Sequence, residues 1–237
     1  MAASNFIEEL KLLKSQLVKM GDDVLNMLKN GGLVIADLDE ERARSIIKAD
    51  NKVNEQENTV VNRAITLIAT NQPVAGDLRF LASSLRLAIE LERIGDLGSN
   101  IGRRALEIIQ LRKEGIPTEP IPEDVHVMVK KALSMLELAL SSLAENDPVK
   151  AEAVLAADDE VDEFNSRIRK NTLNLINQDG HKAAWGFEVI TIASHIERLA
   201  DHATNLAEET IYMAKGLNVR HLYPVKEFYR LSFSDRD

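Results

Sequence analysis

A chain of 237 residues can form one large domain or two of about 110 to 120 residues each, and with 45% hydrophobic and 28% charged residues it is too apolar to remain disordered. Its 29 Lys+Arg stand against 38 Asp+Glu, a formal charge of −9, so the electrostatic drive for holding a nucleic-acid backbone is missing and no nucleic-acid partner is expected. There is no cysteine, which excludes disulfides, thiolate zinc, cysteine-ligated iron–sulfur clusters and cysteine nucleophiles, and leaves oxygen or imidazole as the donors for any metal.

Few aromatics (4%), 11 Gly and 6 Pro predict an all-α fold. The first amphipathic segment runs from about Ser4 to Asn30 and is expected to stop at Gly31-Gly32. A second begins near Asp37, which has capping-box spacing to Glu40, and continues to Asn71. Pro73, a good first helical residue, opens a third that reaches Lys113 and Gly115. Residues 115–122, Gly-Ile-Pro-Thr-Glu-Pro-Ile-Pro, resemble a linker. Three more helices follow: about Pro122 to Ala144, Pro148 to Asp179 with Asp147 as its cap, and His181 to Gly216. No segment reaches the roughly 18 uncharged apolar residues of a membrane span, so a soluble, cytoplasmic protein is expected.

The medium, long, long order of helices occurs twice, and the residues repeat with it. A shift of 105 carries Ala88, Glu92, Arg93, Asp96 and Asn100 onto Ala193, Glu197, Arg198, Asp201 and Asn205. It also pairs Gly95, Gly98 and Gly102 with Ala200, Ala203 and Ala207, small residues that let a neighbouring helix come close. On the preceding helix a shift of 108 matches Asp50, Asn54 and Glu57 to Asp158, Asp162 and Asn165. The expected division is a first repeat over 1–115, a second over 116–217, and a tail over 218–237.

Glu92, Asp96 and Asn100 lie at i, i+4 and i+8, one ridge of oxygens about 12 Å long, and Glu197, Asp201 and Asn205 form its copy. A lone pair of acids at this spacing is ordinarily a solvated face. Here the same ridge is apolar one to three turns earlier, through Leu81, Leu85 and Ala88 and through Gly186, Ile190 and Ala193, so it leaves a core and enters a groove. Like charges one turn apart repel, and Arg93 and Arg198 sit about 100° round the helix from their glutamates, too far to neutralise a whole ridge. Folding each long pair into a hairpin brings Asp50 level with Asp96, and Asp158 within one residue of Asp201. Several oxygens around a shared void suit Mg²⁺, Mn²⁺, Ca²⁺ or iron, and an open metal shell would also attract oxyanions, phosphate among them.

Pro73-Val-Ala-Gly-Asp-Leu-Arg79, Glu92-Arg-Ile-Gly-Asp-Leu-Gly-Ser-Asn100 and Glu197-Arg-Leu-Ala-Asp-His-Ala-Thr-Asn205 together resemble the PhoU family of phosphate-signalling proteins, over residues 5–216. The resemblance implies two pseudo-symmetric three-helix bundles. It also implies divalent or trivalent metal ions, multinuclear iron in particular, with manganese, magnesium and zinc left open. The implied holders are Glu92, Asp96, Glu197 and Asp201, extended by Asn100 and Asn205; the hairpin arithmetic above adds Asp50 and Asp158 as acids facing them. Its implied function is negative regulation of the phosphate regulon, by linking the ATPase subunit of the phosphate ABC transporter to a sensor histidine kinase at the inner membrane face. A homodimer and no enzymatic activity are expected.

The alternative is a carboxylate-bridged iron-binding or di-iron bundle, for which the chain offers one Glu-x-x-His, Glu123 to His126. His195 and His202 flank the second ridge and read as hydrogen-bonded or exposed rather than ligating, and Trp185 and Phe187 read as packing residues. Asp77 and Arg79 have no counterpart in the second half. The last twenty residues, with Arg220, His221, Tyr223, Lys226, Tyr229 and Arg230, are expected to be a mobile tail, with a docking segment as the alternative.

Overall fold

A computed structural model describes residues 2–219, so the tail residues from Arg220 onward lie outside it. The described residues form α1 (Ala2–Asp37), α2 (Glu40–Asn71), α3 (Ala75–Lys113), α4 (Glu123–Glu145), α5 (Pro148–Leu155), α6 (Asp158–Gln178) and α7 (Ala183–Lys215), with a 3₁₀ turn over Gly180–Lys182 and no strand among them. This is the expected six-helix plan with its fifth helix divided into α5 and α6 at Ala156-Ala157. Helices α1, α2 and α3 pack as one bundle, and α4, α5, α6 and α7 as the second.

Several boundaries moved for identifiable reasons. Helix α1 does not end at Gly31-Gly32 but runs on to Asp37. Gly32 is a close-approach position: a Cβ there would lie 2.9 Å from Val129 Cγ1 on α4, so the residue serves packing, not termination. The chain turns at Leu38, which adopts a left-handed φ of 50°. Asp39, not Asp37, caps α2 by accepting from the Arg42 N–H at 2.9 Å, while Asp37 pairs with the Arg42 guanidinium at 3.0 Å. The other N-cap is as expected: Asp147 accepts from Val149 and Lys150 at the start of α5.

Helices α3 and α7 form the spine, lying against each other and against the outer helices of their own bundles. Leu87, Leu91, Ile94 and Ile108 on α3, and Val189, Ile196, Leu206 and Ile211 on α7, are essentially fully buried, each side chain removed from water stabilising the fold by about 1.5 to 3 kcal/mol. Contacts at Arg86–Glu209, Glu90–His202 and Arg104–Glu188 show that α3 and α7 run antiparallel. The small residues of α3 have the predicted use. A Cβ on Gly95 would come within 3.1 Å of Val53 Cγ1, and one on Gly102 within 3.1 Å of the Ala43 carbonyl oxygen, so α2 seats directly on the α3 backbone. Their counterparts Ala200, Ala203 and Ala207 are buried with no exposure.

Candidate metal centres

Each long hairpin brings acids from its two helices together, and the electrostatics record it. In the first half, burial raises the Asp50 pKa above the usual carboxylate range and the Asp96 carboxylate raises it further, with Arg103 opposing. Glu92 is raised by burial and by the charges of Asp96, Glu57 and Asp50, with Arg93 opposing. In the second half, burial and the charges of Asp162, Asp201, Asp159 and Glu197 push Asp158 to about 6. Burial and neighbouring acids raise Asp162, Glu197 and Asp201 in the same way. Six carboxylates are thus held close enough to disfavour one another's charged form.

Asp50 is 8% exposed and lies against the α3 backbone, its Oδ1 within 3.6 Å of where a Gly95 Cβ would stand. The Oδ1 atoms of Asp50 and Asp158 are buried and have no hydrogen-bond partner among the described residues, and neither has that of Asn54. A buried oxygen without a donor costs on the order of 1–3 kcal/mol, and a cation relieves both that cost and the repulsion. Among the described residues no three carboxylate or imidazole groups converge tightly enough to enclose an ion by themselves. The oxygens fit a hard cation as an open set, the rest of the roughly six donors such an ion takes coming from water or an added anion.

The asparagines do not behave as a symmetric pair. Asn100 accepts from Arg103 Nη1 through Oδ1 at 2.6 Å. Asn205 instead donates from Nδ2 to Glu90 Oε2 at 3.0 Å, which keeps its carbonyl oxygen out of that bond. His202 Nδ1 meets the same Glu90 Oε2 at 2.7 Å, so this histidine is hydrogen-bonded across α3 and α7. Burial alone would raise the Glu90 pKa, but these two partners lower it overall. His195 is half-buried with its Nδ1 unpartnered, and burial together with Arg198 lowers its pKa toward the neutral imidazole.

Glu90 was not singled out in the sequence, yet a signal was there. Under the shift of 105, Glu90 maps onto His195 and His202 onto Leu97, so this polar contact sits where the repeat fails. The first-half motif also gains a contact: the Arg79 guanidinium lies 3.4 Å from where a Cβ on Gly216 would stand, a cation at the C-terminal end of α7. Trp185 is fully buried whereas Phe187 is 60% exposed, so only the tryptophan packs as expected. Glu123 and His126 line a cavity of about 550 Å³ with Lys29 and Lys130 from α1 and α4, apart from both acidic centres, and lend nothing to a di-iron reading.

Comparison with known proteins agrees with the duplicated helical fold. The PhoU domain family matches residues 17–105 and 125–210, one segment in each bundle. The phosphate-specific transport system accessory protein PhoU homolog of Rhizobium meliloti is 32% identical over 213 residues, 90% of this chain and 88% of that protein. The PhoU homolog 1 of Thermotoga maritima is 32% identical over 226 residues, covering 95% and 93%. The crystal structure of PhoU from Pseudomonas aeruginosa superposes with a TM-score of 0.83 at 30% identity, over 90% of this chain and all of that one. Two matched domains and near full-length relatives on the same double bundle place the chain in the PhoU family.

Proposed function

We propose that this chain is a metal-loaded regulatory accessory protein of a phosphate-specific transport system and a negative regulator of the phosphate regulon. Its relatives carry the accessory role in their names. The observation that carries the metal part is the duplicated set of crowded carboxylates, from the buried Asp50 and half-buried Glu92, Asp158 and Glu197 out to the exposed Asp96 and Asp201, whose ionisation is opposed by one another at the same place in both halves. Asp50, Glu92 and Asp96 would hold the first group of ions and Asp158, Glu197 and Asp201 the second, with Asn100 and Asn205 at the margins. Bound cations supply positive charge that neutralises the ridges and takes oxygen donors from outside the chain.

On this reading the protein acts by binding, not by catalysis. It bridges the ATPase subunit of the transporter and a sensor histidine kinase, as a homodimer at the cytoplasmic face of the membrane. No helix among the described residues is long and apolar enough to cross a bilayer, so attachment there runs through the partners. Iron is the expected metal, with manganese, magnesium and zinc as competitors that an all-oxygen site discriminates poorly. Deleting the gene in a phosphate-replete host should derepress alkaline phosphatase; continued repression would overturn the regulatory reading.

A further inference from the structure

The mouth of the first acidic centre is cationic, and nothing so far assigns it a ligand. Arg44, Ile47, Lys48, Asp50 and Asn51 from α2 and Arg103 from α3 line one cavity of about 450 Å³. Arg103 is fixed there by its bond to Asn100, and Arg44 by Glu40 at 2.9 Å. Lys48 is exposed and makes no ion pair among the described residues. Three cationic side chains thus line the same cavity as Asp50, whose buried Oδ1 has no donor among the described residues.

Among the described residues, the matching positions of the second half carry no such cations. Carried through the shifts of 108 and 105, the six lining positions become Glu152, Leu155, Ala156, Asp158, Asp159 and Glu208. Three cations and one carboxylate are replaced by four carboxylates and no cation. Glu152 there needs Lys215 of α7 as its partner, at 2.8 Å. At these six positions the second half offers an anion no cation, whereas the first offers it three donors of charge-assisted hydrogen bonds.

The geometry points to Arg44, Lys48 and Arg103 as a binding site for one inorganic tetrahedral oxyanion of the phosphate class, at the first centre and not at the second. The inference rests on the metal reading above, since cations on Asp50, Glu92 and Asp96 are what allow an anion to settle beside those carboxylates. Two otherwise matched halves then divide the work: the first is chemically suited to sense an oxyanion and the second to hold metal alone.

The test uses the full chain loaded with Mn²⁺, with metal content measured by elemental analysis and inorganic phosphate titrated by calorimetry and followed by ³¹P line broadening. One phosphate per chain is expected. Lys48→Ala with Arg103→Ala should weaken phosphate by about tenfold or more while manganese content and helicity stay unchanged, because two charged contacts to a partly desolvated anion are lost. Lys48→Ala alone, at an exposed position with no ion pair among the described residues, should weaken it by about threefold with helicity unchanged. Asp201→Asn, at the other centre, should leave phosphate affinity unchanged. Full phosphate affinity in the double variant, two equivalent phosphates per chain, or loss on Asp201→Asn would each overturn the proposal. So would phenyl phosphate binding more tightly than phosphate, which would make the site one for an esterified group. If manganese fails to load, the metal reading falls and this one with it; if manganese loads and phosphate does not bind, this one falls alone.

Discussion

The two halves share a backbone plan and differ in the charges around their acids. In the first, Arg103 and Arg93 oppose the repulsion at Asp50 and Glu92, and Arg44 and Lys48 stand at the cavity edge. In the second, Arg198 opposes at Glu197 and Asp201 as Arg93 does at Glu92, but no cation opposes at Asp158, where Asp162 and Asp159 add to the carboxylates of α7 and the pKa is driven to about 6. A duplicated fold therefore kept the acids and let their surroundings diverge. Helix packing constrains the inward positions in both copies, while the positions one step round the helix face solvent and are free to change sign.

The largest test of this comparison is metal content. Asp96→Ala and Asp201→Ala should each remove about half the bound metal and together nearly all, read by elemental analysis, if the centres are independent. A loss well beyond half from either change would mean that ions are shared between them. Helicity should survive in both, because each change removes a repelling charge as well as a ligand.

Packing should separate the halves next. Gly102→Val places new methyl groups against the Ala43 carbonyl oxygen, where even a Cβ is at 3.1 Å, and should lower stability by about 2–3 kcal/mol in urea unfolding. Ala207→Gly at the equivalent place should cost about 1 kcal/mol, from backbone entropy. Equal effects would mean that the glycine is not a contact residue.

The seam between α3 and α7 is pinned at both ends, and the pins are unequal. Glu209 is 2% exposed and receives Arg86 at 3.0 Å, so Arg86→Ala should destabilise by about 2 kcal/mol, the bond itself being partly open to solvent on the arginine side. Burial raises the Glu188 pKa in spite of Arg104 at 3.1 Å, so that pair offsets its own desolvation poorly. Arg104→Ala should therefore have the smaller effect, and the reverse order would show that the second pin carries the seam.

The smallest expected effect is one of pH on the metal-free protein. The folded pKa of Asp158, about 6, lies above its unfolded value near 4, so the folded state keeps a proton that the unfolded state has released. Its contribution is favourable below about pH 4 and is lost as pH rises through 6. After allowance for solvent screening the loss is on the order of 1 kcal/mol. Asp158→Asn should flatten thermal stability across that window, and Asp50→Asn should do so to a lesser degree because Arg103 already opposes its shift. A metal-free protein that gains stability from pH 4 to 6 would contradict the crowded-acid picture.

Most of the architecture was legible in the residues because helical periodicity and repetition are local properties. Folding the hairpin about Pro73 placed Asp50 beside Asp96 from sequence arithmetic, and the structure sets the same two acids against each other. The second hairpin likewise joins Asp158 to Asp201 and Glu197. Gly31-Gly32 misled because a glycine pair marks a helix end and a close helix contact equally well, and only the arrival of Val129 from α4 decides between them. The break at Ala156-Ala157 has no Gly or Pro to announce it.

By itself, the order of residues determined an all-helical chain, its duplication and the two acidic ridges, since each follows from spacings along a 3.6-residue helix. Tertiary structure alone decided that Glu90 would meet His202 and Asn205 from another bundle, and that Arg44, Lys48 and Arg103 would share one cavity with Asp50. Those groups are distant in sequence, and their meeting depends on the angle and register at which the helices pack. No period along a single chain encodes that angle.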